Sequence, residues 1–248
     1  SRVLNSSKGP AVRATRIQTC RDAYKKSMQA KILNHKNLTI LQATVSSLSF
    51  KTNSIKGVVI DTGEIIKSEN IVLTVGTFLG GTIHMGDKKF SAGRAGDKSS
   101  DALQKYFLDQ GFEIGRLKTG TPPRISTNSI DFANLERQDS DHPLPMMSYM
   151  YGDYRQQPPQ TRKLPCYITH TNKLTHEIIQ SSKDRSPMFN GEISSIGPRY
   201  CPSIEDKVFR FADKERHQIF LEPESLGNHE IYPNGLSTSL PLEIQKEF

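Results

Sequence analysis

The sequence predicts an α/β fold, and three observations support that prediction. Segments with apolar residues at helical spacing alternate with short segments rich in β-branched residues. Hydrophobic residues make up 35% of the 248 positions, enough for the core of one large domain or two modest ones. The longest apolar run, Ile71 to Val75, has the length of one buried strand and is far shorter than a membrane span.

The first part of the chain is predicted to supply one helix and a small sheet. Apolar residues recur at helical spacing from Ala14 to Asn34. Leu38 to Phe50 is rich in β-formers, and turns then set off Gly57 to Ile60 and Ile65 to Ile66 as short strands. Ile71 to Val75 is predicted as a buried strand that ends at a ligand-facing edge of the sheet.

The rest of the chain is predicted to alternate short helices and strands. Asp101 to Gln110 is predicted as a helix with a polar cap at Ser99 to Asp101 and a left-handed stop at Gly111. Phe112 to Leu117 is predicted as a strand, and Gln138 to Pro165, which has no period, as a long loop. Further helices are predicted at His176 to Ser182, Pro202 to Phe211 and Leu242 to Phe248.

The chain is basic, with a formal charge of +7 and a pI near 9.2. A basic excess favours polyanionic partners, because each Lys or Arg placed on a phosphate releases a counterion. An ordinary solvated basic surface explains the same charge equally well.

The three cysteines, Cys20, Cys166 and Cys201, lie far apart and form no C-x-x-C pair. This spacing argues against a disulfide scaffold and a local zinc knuckle, and it is typical of a reducing cytoplasm. His170 and His176 lack a metal-ligating spacing, so we predict no metal site.

Cys201 is the best local candidate for chemistry. Pro202 suits the first position of a helix, with Glu205 and Asp206 in its first turn, so Cys201 is predicted at the N-cap. The positive helix end and the adjacent Arg199 stabilise a thiolate, whereas the two carboxylates oppose that effect. A buried structural cysteine is the competing interpretation, and the local sequence alone favours it slightly.

Two glycine-containing segments are weak signals for a bound cofactor. Gly76-Thr77 follows the predicted buried strand, where glycine lets a ligand approach the backbone, although a plain turn is the commoner explanation. Phe90 to Ser100 is a glycine-rich loop that opens a helix, and free amides there attract phosphate. It matches neither a Walker loop nor a complete dinucleotide fingerprint, so a capped surface loop explains it equally well.

Two groups of basic residues are candidates for contact with nucleic acid. Arg116, Lys118 and Arg124 flank the rigid loop from Thr119 to Pro123. The second group lies along the N-terminal predicted helix, where a solvated charged face is the default interpretation: Arg13, Arg16, Arg21 and Lys25.

Several long and chemically unusual stretches occur in order across nearly the whole chain. They are Asn5 to Arg16, Val72 to Gly81, Ser91 to Asp97, Gly115 to Ile125, Cys166 to Asn172, Gly197 to Val208, Ile219 to Glu224 and Tyr232 to Pro241. Through these stretches the sequence resembles the GidA (MnmG) family of tRNA uridine 5-carboxymethylaminomethyl modification enzymes. Gln138 to Pro165 matches the family least.

The resemblance implies a two-dinucleotide-binding flavoprotein of the Rossmann-like α/β type, with an inserted α+β domain. Residues 1–100 are then part of the FAD-binding domain with a small inserted sheet. Residues 101–248 are the NADH- and substrate-facing inserted domain and the return to the FAD domain. The family's N-terminal GxGxxG loop, an upstream cysteine and the C-terminal helical region are absent. We therefore expect a fragment truncated at both ends that by itself binds FAD weakly or not at all and is inactive.

The resemblance also implies the cofactors and partners. FAD is the expected cofactor, NADH the reductant and methylene-tetrahydrofolate the one-carbon donor. The expected substrate is tRNA, modified at C5 of the wobble uridine in the cytoplasm. The family works as a homodimer that joins the GTPase MnmE in a heterotetramer.

Carried over by position, the resemblance assigns roles to residues of this chain. Val45 and Ser100 match flavin-contacting positions, and Gly76 and Thr77 are added to them. Cys201 matches a cysteine important for catalysis, as the nucleophile or as the acid or base at C5. Arg116, Lys118 and Arg124 are predicted to contact tRNA because of their charge, not by a match of position. NADH is expected along one stretch, at Gly197, Pro198, Arg199, Tyr200, Ser203, Glu205, Asp206, Lys207, Arg210 and Phe211.

Two other functions stay open from the sequence. One is a folate- and flavin-dependent tRNA uracil methyltransferase, which shares the flavin fold and the one-carbon chemistry. The other is a non-catalytic RNA-binding module that uses the basic surface alone.

Overall fold

A computed structural model describes residues 1–147, 162–193, 202–227 and 229–248. The strands, numbered along the chain, are β1 (Arg2–Leu4), β2 (Ala14–Arg16), β3 (Val45–Lys51), β4 (Ser54–Ile60), β5 (Ile65–Lys67), β6 (Thr82–Met85), β7 (Lys88–Ser91), β8 (Ile125–Ser126), β9 (Glu136–Gln138), β10 (Cys166–His170), β11 (Gln218–Pro223) and β12 (Glu230–Asn234). The helices are α1 (Arg21–Leu33), α2 (Asp101–Asp109), α3 (Lys173–Ser181), α4 (Ile204–Arg210) and α5 (Leu242–Glu247).

The chain divides into two compact units, each assembled from segments that are distant in sequence. The first unit comprises Ser1–Leu38, Gly120–Gln180 and Pro202–Thr238. The second unit comprises Thr39–Thr119, Ser181–Cys201 and Ser239–Phe248. The division at residue 100 that the sequence predicts refers to domains of a larger flavoprotein fold, and it stays a prediction.

The first unit is built on a five-stranded antiparallel sheet in the order β8-β12-β11-β10-β9. Ile219 and Leu221 of β11 and Ile231 of β12 form its buried cluster. Alternate residues of a strand point to the same face, which explains why Ile219 and Leu221 pack together. Two helices of this unit, α3 and α4, add fully buried apolar side chains: Ile179, Ile204 and Val208.

The second unit contains the antiparallel sheet β3-β4-β5 and the hairpin β6-β7. Helix α2 packs against β3 and buries Leu103 and Phe107, which lie four residues apart on one helical face. The Phe107 ring meets the Phe112 ring edge-on, with 5.3 Å between their centroids. Gly111 has a φ of +82° and ends the helix in the left-handed conformation that the sequence predicts.

The helix predicted from Ala14 to Asn34 forms only from Arg21 onward. Residues 14–16 instead form β2, which pairs antiparallel with β1. A three-residue strand is shorter than the window in which apolar periodicity is visible, so the pattern did not separate it from the helix that follows.

The predictions of two strands from apolar runs are wrong. Ile71 to Val75 forms no strand, and its Val72 side chain is 86% exposed. Phe112 to Leu117 also forms no strand, and Leu117 is 77% exposed. A strand needs a hydrogen-bonded neighbour, and an apolar run does not reveal whether such a neighbour is available.

Other predicted elements are confirmed. Helices α2, α3 and α5 lie where the sequence places them, within a few residues at their ends. Residues 139–147 and 162–165 of the predicted loop contain neither helix nor strand, and its residues 148–161 lie outside the described part. The expected absences of a membrane span and of a metal site stay predictions. No described helix has the length and apolar character that crossing a membrane requires, and within the described residues no three metal-ligating side chains come together.

Candidate active site

Two neighbouring glycine-containing turns form the predicted cofactor-facing part of the second unit. They comprise residues 76–81 and 91–100, and we call them the glycine turns. The backbone amide of Ser100 donates to the Phe78 carbonyl at 2.7 Å, which fixes the start of α2 against the first turn.

The glycine turns touch where a side chain would not fit. A Cβ at Gly81 would lie 2.4 Å from the Thr77 carbonyl oxygen and 2.7 Å from that of Ala92. Gly76, by contrast, has a φ of +56° and opens onto empty space. The first contact requires glycine for packing, and the second leaves a backbone that a ligand can approach closely.

The residues predicted to contact flavin all belong to this region. Val45 is the first residue of β3, against which α2 packs, and Ser100 directly precedes α2. Thr77 lies in the first glycine turn, where its Oγ1 donates to the Gly93 carbonyl at 2.8 Å. Because the Thr77 hydroxyl is engaged in this way, the open backbone at Gly76 is the feature best suited to a ligand.

The start of α4 differs from the prediction in the residue that caps it. Ser203 is the N-cap: its Oγ accepts from the Asp206 amide at 3.2 Å, and Asp206 Oδ2 accepts from the Ser203 amide at 3.3 Å. The prediction of Cys201 as N-cap is therefore wrong. A serine hydroxyl accepts a helix amide well, whereas a thiol is a weak acceptor. Glu205 and Asp206 do occupy the first turn, as predicted.

Several residues predicted to bind NADH are already engaged by the protein. Glu205 is fully buried, and its Oε1 accepts a hydrogen bond from Thr238 Oγ1 at 2.9 Å. The ammonium of Lys207 donates to the Gly235 carbonyl at 2.9 Å. These residues, with Ser203 in its capping box, hold the start of α4 in place.

Among the described residues of the predicted NADH set, the most accessible lie at the end of α4. The Arg210 side chain is 72% exposed and lies 3.6 Å from Asp206, and Phe211 is 50% exposed. A guanidinium and an aromatic ring suit the phosphate and the flat base of a dinucleotide. The remaining predicted positions lie outside the described residues: Gly197, Pro198, Arg199, Tyr200 and Cys201.

The three basic residues predicted to contact tRNA each have a partner within the protein. Arg116 donates to the Gly80 carbonyl at 2.8 Å. Lys118 is buried and its ammonium contacts the sulfur of Met188. Arg124 Nε donates to Glu224 at 2.6 Å.

A cleft of about 1000 Å³ in the first unit was not found from the sequence. Cys20 and Cys166 both line it. The amides of Leu226 and Ala23 and the hydroxyl of Ser225 lower the pKa of the Cys20 thiol to about 7. Burial, by contrast, raises the pKa of the Cys166 thiol.

Cys20 is the N-cap of α1. The signal for it was present in the sequence, because an acidic residue, Asp22, lies in the first turn of a helix that starts at Arg21. The helix was predicted to start at Ala14, so Cys20 was not recognised as the residue at its N-terminus.

Comparisons with known proteins place the chain in a family. A model of the family described as Glucose inhibited division protein A matches residues 1–248. The chain belongs to this family. The structure of Aquifex aeolicus GidA in its form I crystal is 43% identical to it, with a TM-score of 0.87 over 98% of this chain and 41% of that one. The form II crystal gives 41% identity and a TM-score of 0.85 over 98% of this chain and 39% of that one.

The chain therefore has a GidA-like fold with α/β content, and it spans about 41% of the length of the Aquifex aeolicus GidA chain in the form I crystal. The motif stretches that carried the resemblance all fall within the matched region. All paired strands in the described residues are antiparallel. A two-dinucleotide arrangement in this GidA-family chain stays a proposal.

Proposed function

We propose that the protein is an FAD- and NADH-dependent enzyme that modifies tRNA at C5 of the wobble uridine. The product carries a carboxymethylaminomethyl or aminomethyl group. The observation that carries this proposal is the family match over the whole chain, together with 43% identity to Aquifex aeolicus GidA.

The glycine turns support the assignment of FAD. The open backbone at Gly76 lets a ligand approach the first glycine turn, and the close contact at Gly81 holds that turn against the second one, which leads through Ser100 into α2. FAD, when bound, supplies electron transfer and the handling of a one-carbon unit taken from methylene-tetrahydrofolate. NADH is proposed to lie along α4, where Arg210 and Phe211 offer a cation and a ring.

Cys201 is proposed as the residue that acts on the uridine. A thiolate that adds to C6 of uracil moves the C5–C6 electron pair towards O4, and C5 then becomes nucleophilic towards a one-carbon electrophile. Loss of the C5 proton and cleavage of the C6–sulfur bond restore the ring and the thiolate. The alternative role for Cys201 is the acid or base that exchanges this C5 proton.

The partners follow from the same family. We propose a homodimer, a heterotetramer with the GTPase MnmE, and a cytoplasmic location. A single-stranded anticodon loop lets the uridine turn outward at low cost, which the active site requires. Arg116, Lys118 and Arg124 are proposed to contact tRNA near this uridine. Lys118 must leave its buried position to do so, and Arg124 must exchange Glu224 for a phosphate.

The test is to delete the gene, complement it with variants and measure wobble-uridine nucleosides by mass spectrometry. The unaltered gene is expected to restore a C5 side chain that contains nitrogen, and the purified intact protein is expected to show a flavin absorption spectrum. Restoration of a single methyl group would instead identify a tRNA uracil methyltransferase. A colourless protein that leaves tRNA unchanged would contradict the proposal.

Cys201→Ser is the variant that tests the thiol, and Cys166→Ser is its matched control. We expect Cys201→Ser to abolish modification while flavin stays bound, and Cys166→Ser to retain modification because that thiol is partly buried and its pKa is raised. Full modification by Cys201→Ser would exclude both proposed roles of that residue.

A further inference from the structure

The positive charge of the chain is concentrated at one end. Residues 1–38 contain nine Lys and Arg and a single acidic residue, Asp22, a net charge of +8. Because the whole chain carries +7, all other residues together sum to −1. The basic character of the protein is therefore a property of residues 1–38, which we call the basic segment.

Three arginines of the basic segment are used to attach it to the first unit. Arg2 pairs with Asp141, Arg16 with Glu222, and Arg21 with Glu224. The other six cations are exposed, and within the described residues they form no ion pair: Lys8, Arg13, Lys25, Lys26, Lys31 and Lys36.

Helix α1 carries several of these cations, and hydrogen bonds hold its first turn in place. The Arg21 amide donates to the Glu224 carbonyl at 2.9 Å, and the Asp22 carboxylate accepts from the Ser225 hydroxyl. The whole helix is about 20 Å long, and none of its residues is buried. Helices in proteins are normally stabilised by a packed face, and within the described residues α1 has none.

The pattern of α1 fits a nucleic-acid backbone better than a lipid surface. A helix that lies in a membrane interface has a continuous apolar face. The apolar residues Tyr24, Met28 and Ile32 lie at helical spacing, but Arg21 falls between them on the helix surface and Lys25 lies beside them. Closely spaced unpaired lysines on an exposed helix are the electrostatic footprint of phosphate binding.

We propose that the basic segment docks on the sugar–phosphate backbone of tRNA through Lys25, Lys26, Lys31 and their neighbours. This inference rests on the proposed function and adds further residues to its predicted tRNA contacts at Arg116, Lys118 and Arg124. The surface supplies affinity without sequence readout, since it meets phosphates rather than base edges.

The test compares two triple variants of the intact protein that remove the same charge. One is Lys25→Gln, Lys26→Gln and Lys31→Gln in α1. The control is Lys51→Gln, Lys56→Gln and Lys67→Gln, three exposed lysines of the second unit. Binding of unmodified tRNA is measured at several salt concentrations, and the modification rate is measured at saturating tRNA.

The α1 variant is expected to bind tRNA about tenfold or more weakly near physiological salt. The slope of log affinity against log salt should fall by about 0.7–0.9 for each lost phosphate contact. The control variant should keep the affinity and slope of the unaltered protein, and both should keep the rate at saturating tRNA.

Equal affinities and slopes for all three proteins, with modification intact, would overturn this inference alone. Sedimentation of the proteins with phosphatidylserine vesicles is measured as well. An α1 variant that binds tRNA normally but no longer sediments with these vesicles would also overturn this inference alone. An unaltered protein that neither binds nor modifies tRNA would instead refute the proposed function.

Discussion

Arg124 and Glu224 form an ion pair in which the arginine Nε lies 2.6 Å from a carboxylate oxygen whose side chain is 9% exposed. The same carboxylate pairs with Arg21 at the start of α1. The Arg124 guanidinium also lies over the ring of Tyr232, 4.5 Å from its centroid. One nearly buried carboxylate thus joins the beginning of α1 to the segment that precedes β8.

Glu224→Gln tests this junction. We expect it to lower the free energy of unfolding by about 1–3 kcal/mol, because two cations lose the charge of their shared partner. Urea unfolding measures the loss. Arg94→Gln is the comparison, since its pair with Asp97 is exposed and should contribute much less. Equal losses in the two variants would show that Glu224 does not hold the junction.

Ser203→Ala tests the capping box of α4. The serine is 1% exposed and its hydroxyl accepts a helix amide, so we expect a loss of about 1 kcal/mol in the free energy of unfolding. Ser100→Ala is the matched control, because Ser100 occupies the N-cap of α2 without a side-chain capping bond. A smaller effect at position 203 than at position 100 would contradict the assigned cap.

Gly81→Ala tests whether the glycine turns bind flavin. The added Cβ meets two carbonyl oxygens, so the turns must separate. We expect less FAD to be retained by the intact protein, measured as the ratio of flavin to protein absorbance. Gly115→Ala adds the same methyl group where no atom lies within 4 Å, and it should retain FAD. A normal flavin content in Gly81→Ala would show that the glycine turns do not bind FAD.

Cys20 is predicted to be the more reactive of the two described thiols. Its pKa, lowered to about 7 chiefly by the Leu226 amide, leaves a large thiolate fraction at neutral pH. Alkylation by iodoacetamide in a Cys201→Ser background should rise with a midpoint near pH 7 and be lost in Cys20→Ser. Burial raises the pKa of Cys166, so that thiol should react slowly. Faster labelling of Cys166 than of Cys20 would contradict this prediction.

His217 is predicted to make the first unit sensitive to acid. Its ring stacks on His176 with 5.1 Å between centroids, and burial, followed by the charges of His176 and Lys207, lowers the pKa of His217. The unfolded chain therefore takes up this proton more readily than the folded one. The contribution of His217 to stability is fully present above the ordinary pKa of 6.5 and is lost as the pH falls below it.

His217→Phe keeps a ring against His176 and removes the titrating group. Urea unfolding between pH 7.5 and about 5 should give a shallower loss of stability than in the unaltered protein. A pH dependence identical to that of the unaltered protein would exclude His217 as its source.

The sequence predicted best where local signals decide the structure. Helix α2 has an apolar pair four residues apart and a glycine stop, and its position is confirmed. Ile71 to Val75 shows the opposite case, because burial and strand pairing depend on neighbours that a local pattern does not contain. The start of α4 was misplaced because Pro202 and Ser203 both suit a helix start, and the reciprocal bonds with Asp206 decide between them.

The candidate site could be predicted only in part for the same reason. Gly76 and Thr77 were predicted as cofactor contacts from their position after an apolar run, although that run is not a strand. Their contact with residues 91–100 depends on packing that the sequence does not encode locally. The engagement of Arg124 by Glu224 joins residues far apart in the chain, and no spacing rule predicts it.

The strand order of the first unit constrains how the newly made polypeptide folds. In that sheet β12 lies between β8 and β11, and Ser126 is paired with Glu230. The pairings of β12 with β8 and β11 therefore wait until residue 234 has left the ribosome, while the local hairpins of β3, β4 and β5 need no later segment. During synthesis, β8 thus spends time without its partner strand, and an unpaired strand is prone to aggregation.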